Sequence, residues 1–124
     1  LYPTLTTLCG LAAPKHLEGV SLVPLLNNPA GKVKEVALIQ TPRPNYPRRT
    51  DPKVMGYSIR SNRYRYTEWQ NFKTGHIAAR ELYDHKDDPN ETVNLAQLEK
   101  YKQQINQLST LLQKTLRNQS AKTQ

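Results

Sequence analysis

Val54 to Trp69 reads VMGYSIRSNRYRYTEW, and its alternation decides the fold. Two β-prone runs, VMGYSIR and RYRYTEW, flank the turn-forming pair Ser61-Asn62, which is the pattern of a β-hairpin with a two-residue loop. Such a hairpin pairs Ile59 with Tyr64 and Tyr57 with Tyr66 on one face. On the other face it sets Ser58 by Arg65, Gly56 by Thr67 and Val54 by Trp69, a more exposed side except at the tryptophan. The tyrosines share their side with Met55 and Ile59, so they are expected in the core, with Arg63 and Arg65 turned away from it.

Working outward, VKEVALIQ (Val33 to Gln40) is β-branched and apolar enough for a largely buried strand, and RELYD supplies another short one. Together with the hairpin they predict an antiparallel sheet of about four strands. Between the first strand and the hairpin, TPRPNYPRRTDPK holds four prolines and four basic residues, which predicts an extended, exposed loop of functional interest. Downstream, Leu98, Tyr101, Ile105, Leu108 and Leu112 step by three and four residues, the stripe of a long amphipathic helix over about 95–116. Asn94 is its expected N-cap, with Gln97 completing a capping box. Asp87, Asp88, Pro89 and Asn90 build the turn before it, and Glu91 brings negative charge toward the helix start.

At the other end, Pro3 suits a first helical turn, and Leu1, Leu5, Leu8 and Leu11 fall on one face of a short helix that Gly10 and Pro14 stop. A small apolar turn follows around Leu22, Leu25 and Leu26, closed by breakers at 27–31. The fold class is therefore α+β: an antiparallel sheet packed on a long C-terminal helix, preceded by a short helical segment. A junction near 27–32 divides the chain into 1–32 and 33–124.

The chain has 124 residues, a net charge of +8 and only 36% apolar residues, with one Trp and one Phe, so its core must be thin and rich in tyrosine. The charge favours polyanionic partners: nucleic acid, anionic membranes, or sulfated and carboxylated glycans. A single cysteine, Cys9, excludes an internal disulfide and a cysteine-rich zinc site, and is expected to be a buried structural thiol. His16, His76 and His85 lack zinc spacing, and Asp84, Asp87, Asp88 and Glu91 lack the glycine and periodicity of a calcium loop, so no metal site is expected. No apolar run is long enough to span a bilayer. Asn90 and Asn118 begin glycosylation sequons that matter only in a secretory setting. RYRYTEW interleaves basic and aromatic residues as single-strand nucleic-acid sheets do, which leaves open a stand-alone basic module binding nucleic acid or another polyanion.

Glu81 to Ala96 reads ELYDHKDDPNETVNLA. It is similar to the signature that precedes the last helix in many type I sulfatases. YPTLTTLCGL followed by HLEGVSLVPLL resembles the end of the sulfatase catalytic domain, in family order. QTPRPNYP and MGYSIRSNRYRYTEW resemble the iduronate-2-sulfatase branch in particular. The resemblance implies that 1–32 closes the large α/β catalytic domain and that 33–124 is the smaller C-terminal subdomain. It implies a parent enzyme that hydrolyses sulfate esters of glycosaminoglycan-type acidic sugars in a secreted, periplasmic or lysosomal setting. The family's cofactors are calcium and a formylglycine made from a C/S-x-P-S/T-R motif; Cys9 is followed by GLAA, so this chain holds neither and is expected to be inactive alone.

No catalytic residue is therefore assigned. Arg43, Arg48, Arg49 and Lys53, on the proline-stiffened loop, are the candidate substrate rim. Arg43 is read equally as an anchor to a carboxylate such as Glu81. Structural roles fall to Glu81, Asp88, Pro89, Asn90 and Asn94. The expected partners are the rest of the catalytic domain, an acidic or sulfated glycan and, through the apolar patch of Leu1, Leu5, Leu8 and Leu22, a second copy.

Overall fold

The computed structural model describes residues 1–14, 16–44 and 51–123. These form two compact units, one of 1–35 with the chain's end from 114, the other of 36–113.

The larger unit is built on four strands, β1 (Ala37–Arg43), β2 (Val54–Arg60), β3 (Tyr64–Asn71) and β4 (Ile77–Asp84), antiparallel in the order β1-β2-β3-β4. Ile59 pairs with Tyr66 and Tyr57 with Glu68, two residues from the expected register. The cause is local. The Ser61 amide donates to the Tyr64 carbonyl and the Ser61 hydroxyl oxygen accepts the Tyr64 N–H, so this pair closes the ladder and the two-residue turn falls on Asn62-Arg63. A two-residue slip keeps every side chain on its face, so the division into a core side and an outer side holds.

One row of partners, Leu38, Ile59, Tyr66 and Leu82, crosses all four strands. Ile59, Tyr66 and Leu82 of this row are fully buried, as is Leu112 of α3 (Lys102–Thr123), and Leu108 is buried beside it. The core lies between this row and the helix stripe. The sheet and helix are also joined by a polar contact at Glu68, a buried carboxylate. It accepts the Tyr66 hydroxyl at 2.8 Å, Gln70 Nε2 at 2.8 Å, the Ser109 hydroxyl at 2.7 Å and Gln113 Nε2 at 3.3 Å.

β1 begins later than expected and runs on through Thr41-Pro42-Arg43, which the sequence assigns to the loop. Pro42 is tolerated because β1 is an edge strand, where a missing N–H breaks no second ladder. The helix also begins later: a 3-10 turn at Glu99–Tyr101 leads into α3. Asn94 is accordingly not its N-cap. Its side-chain oxygen accepts the amides of Leu82 and Ala96, its amide donates to the Arg80 carbonyl, and the Leu95 amide donates to the Leu82 carbonyl. Asn94 thus clamps the segment after the turn along the free edge of β4, covering backbone that would otherwise be unpaired.

In the smaller unit, α1 (Tyr2–Leu8) and α2 (Val23–Asn27) are joined where the Leu22 amide donates to Thr4 Oγ1 at 3.0 Å. α1 turns Thr4 and Thr6 inward and leaves Leu1, Leu5 and Leu8 at least half exposed. Cys9 lies outside too, correcting the expectation of a buried thiol.

Candidate functional site

The sheet face away from α3 is polar. Its rows are Ala37, Arg60, Arg65 and Tyr83; then Ile39, Ser58, Thr67 and Glu81; then Thr41, Gly56, Trp69 and Ala79. The last two rows enclose an open trough of about 250 Å3, with Arg43 at one end and Arg65 at the other.

Gly56 makes this shape possible. The Trp69 ring lies across it so closely that a Cβ would stand 2.6 Å from Cζ3. The flattened indole donates from Nε1 to Glu81 Oε1 at 2.9 Å and carries the Arg43 guanidinium 3.6 Å from the ring centroid, a stacked cation–π contact. Glu81 thus meets the indole, and no ion pair joins it to Arg43. Thr67 donates to the Ser58 hydroxyl at 2.8 Å on the trough floor.

At the far end, Arg65 pairs with Glu91 and its Cζ lies 5.3 Å from the Tyr83 ring centroid. Glu91 accepts from His85 Nε2, and His85 Nδ1 faces Arg60 Nη2 at 2.8 Å. Because a guanidinium can only donate, Nδ1 is an acceptor and the imidazole proton is on Nε2. Glu91 has a left-handed φ of 56°, an uncommon state for a residue with a Cβ, offset by these two partners. Its expected place near the helix start is corrected by the later start of the helix.

The turn between β4 and α3 holds itself together. Asp84, 1% exposed, takes Arg63 Nε at 2.8 Å and Nη2 at 2.6 Å, and Arg63 holds its carboxyl below the usual carboxylate range. The Asp88 carboxyl is lowered as well, chiefly by the Val93 N–H, with the Thr92 hydroxyl as a further donor. Pro89 and Asn90 lie exposed at the turn's tip.

Of the four candidate rim residues, Arg43 reaches the trough, and Lys53 is exposed beside it, its amide donating to the Arg43 carbonyl. Arg48 and Arg49 lie outside the described residues. Gly56 and Arg60 were not singled out for a site by sequence, and Arg65 and Trp69 entered only through the nucleic-acid reading of RYRYTEW; the expected register set Gly56 by Thr67, so its place under the tryptophan gave no signal. Tyr66, fully buried and bonded to Glu68, offers no stacking platform for a base, which weakens the nucleic-acid reading. Among the described residues no three His, Cys, Asp or Glu side chains gather as metal ligands, and no helix is long and apolar enough to cross a membrane. No such cluster among the described residues fits calcium, and Cys9 is followed by GLAA, which does not fit the formylglycine motif.

The chain matches the family model for N-sulphoglucosamine sulphohydrolase, C-terminal, over residues 1–119. It is 36% identical over 101 residues to a Delta 4,5-hexuronate-2-O-sulfatase of Bacteroides thetaiotaomicron, covering 82% of this chain and 19% of that protein. It is 32% identical over 115 residues to a sulfatase of Formosa agariphila, covering 93% of this chain and 19% of that protein. The chain thus spans about a fifth of the length of these relatives. A structure solved with its substrate D-glucosamine-2-N,6-O-disulfate superposes with a TM-score of 0.76 at 28% identity, covering 96% of this chain and 23% of the other. The phosphonate monoester hydrolase of Agrobacterium radiobacter shares the fold at 23% identity and a TM-score of 0.74, covering 95% of this chain and 24% of the other. With the four-stranded sheet and terminal helix in place, this chain belongs to the N-sulphoglucosamine sulphohydrolase C-terminal family and is a sulfatase C-terminal domain.

Proposed function

We propose that this domain serves a sulfatase that removes sulfate from an acidic sugar of the glycosaminoglycan type, supplying scaffold and substrate rim. The observation that carries the reading is the 36% identity to a hexuronate-2-O-sulfatase. The net charge of +8 is consistent with it. In this reading 1–32 closes the catalytic domain and 33–124 is the C-terminal subdomain. The leucines that α1 leaves exposed meet the rest of the polypeptide, and where that cover is missing they favour self-association. Calcium and formylglycine belong to the rest of the polypeptide.

Arg43, Arg48, Arg49 and Lys53 form the rim. The test is sulfate release by the full-length protein from an unsaturated 2-O-sulfated hexuronate disaccharide, set against a 6-O-sulfated glucosamine. Preferred release from the hexuronate is expected; release only from glucosamine would replace the substrate class. In the double variant Arg48→Ala, Arg49→Ala, KM should rise more than kcat falls, and less so at high salt. An unchanged KM would remove these two arginines from the rim.

A further inference from the structure

The Arg43 guanidinium is held flat on Trp69, yet its N–H groups make no hydrogen bond or ion pair among the described residues. A stacked guanidinium has lost much of its freedom, while the donors around its edge stay open to a carboxylate, which they match two-to-two. Among the residues that line the trough, the guanidinium groups of Arg43 and Arg65 and the carboxylate of Glu81 leave one net positive charge, and Arg65 is paired with Glu91. Arg65 Nε is buried without a partner. Between the ends lie groups suited to hydroxyls: Ser58, Thr67 and the second oxygen of Glu81, whose first is taken by the indole. Ile39, 53% exposed, gives the mouth an apolar side. The volume is below that of a site for a drug-sized ligand, and suits a single sugar ring.

We propose that this trough is a binding subsite for a singly charged, hydroxylated carboxylate of the uronic-acid class, its carboxylate on Arg43 and its hydroxyls on Ser58, Thr67 and Glu81. The sugar class rests on the reading of the protein as a sulfatase of acidic sugars; the requirement for one carboxylate with hydroxyls rests on the trough itself. Glu81 makes the site selective, since it accepts hydroxyls and repels a multiply charged anion.

The test is calorimetric titration of the full-length protein with D-glucuronate, D-glucose and inorganic sulfate, with sulfate release measured separately. D-glucuronate should bind, and the other two should bind about tenfold more weakly or not at all. Arg43→Lys keeps the charge but loses the fork, and should raise the Kd for glucuronate about tenfold. Ile39→Glu, exposed and outside the core, should weaken binding similarly through its charge, while Ile39→Gln should not. No glucuronate binding, binding unchanged in Arg43→Lys and Ile39→Glu, or equal binding of sulfate would overturn the proposal. Failure to release hexuronate sulfate with Arg43-dependent glucuronate binding intact would sink the proposed activity alone; the reverse pattern would sink the subsite alone.

Discussion

The Trp69 indole lies across Gly56, its register partner on β2, with no room between them for a methyl group. Gly56→Ala must therefore expel the ring, and with it both the Glu81 hydrogen bond and the Arg43 stack. The expected cost is about 1–3 kcal/mol, the range for overpacking. Since Trp69 is the only tryptophan, its fluorescence reports the ring directly. A red-shifted emission and a lower denaturant midpoint are expected; an unchanged emission would mean that the ring does not rest on Gly56.

The Arg63–Asp84 fork ties the β2–β3 turn to the end of β4. Arg63 lowers the Asp84 pKa below its value of 3.8 in an unperturbed carboxyl. The unfolded chain thus binds the proton more readily. The stabilisation is present above about pH 4 and is lost as pH falls through the lower, folded pKa. Asp84→Ala should cost about 1–3 kcal/mol and flatten the acid limb of the stability–pH curve. A variant with the same acid limb as the parent would show that Asp84 is not held by Arg63.

How much of this was legible in the sequence follows from the kind of interaction. The period-2 alternation of 54–69 separated the core face from the outer face, and the stripe Ile105, Leu108, Leu112 located the packed helix, because burial depends on periodicity. Register failed by two residues because Ser61 spends its side chain on closing the turn, a choice that alternation cannot report. Asn94 read as a cap because asparagine favours helix starts, but here the β4 edge supplied better partners. Arg43 was visible as a basic residue among prolines; its platform was not, since Trp69 and Gly56 reach it only through strand pairing.

The edge clamp and the helix stripe predict different losses. Asn94→Ala removes an acceptor from the Leu82 amide and a donor from the Arg80 carbonyl, costing about 1–3 kcal/mol. Hydrogen exchange at Leu82 and Leu95 should quicken while α3 keeps its helicity. Leu108→Ala, in the buried stripe, should cost about 2–5 kcal/mol and loosen the helix itself. Loss of helicity in Asn94→Ala would restore the capping role.

Glu68 is the most demanding polar group in the core, because α3 covers a carboxylate satisfied by four neutral donors. Burial first, and then the bond to Glu68, push the Tyr66 phenol up to about 12 from 10.0. A group whose pKa is raised on folding stabilises the fold fully below its unfolded pKa and loses that contribution as pH rises through the folded one. The domain should therefore weaken between about pH 10 and pH 12. Burial also raises Tyr64 and Tyr83, so the alkaline limb will be broad. Glu68→Gln separates the causes. It removes the charge and leaves burial, so the last-titrating phenol in an absorbance titration should ionise at lower pH. It also turns one acceptor into a donor facing other donors, which should cost about 1–3 kcal/mol at neutral pH. Glu68→Gln with unchanged neutral stability and an unchanged last phenol would mean that Glu68 does not join the sheet to α3.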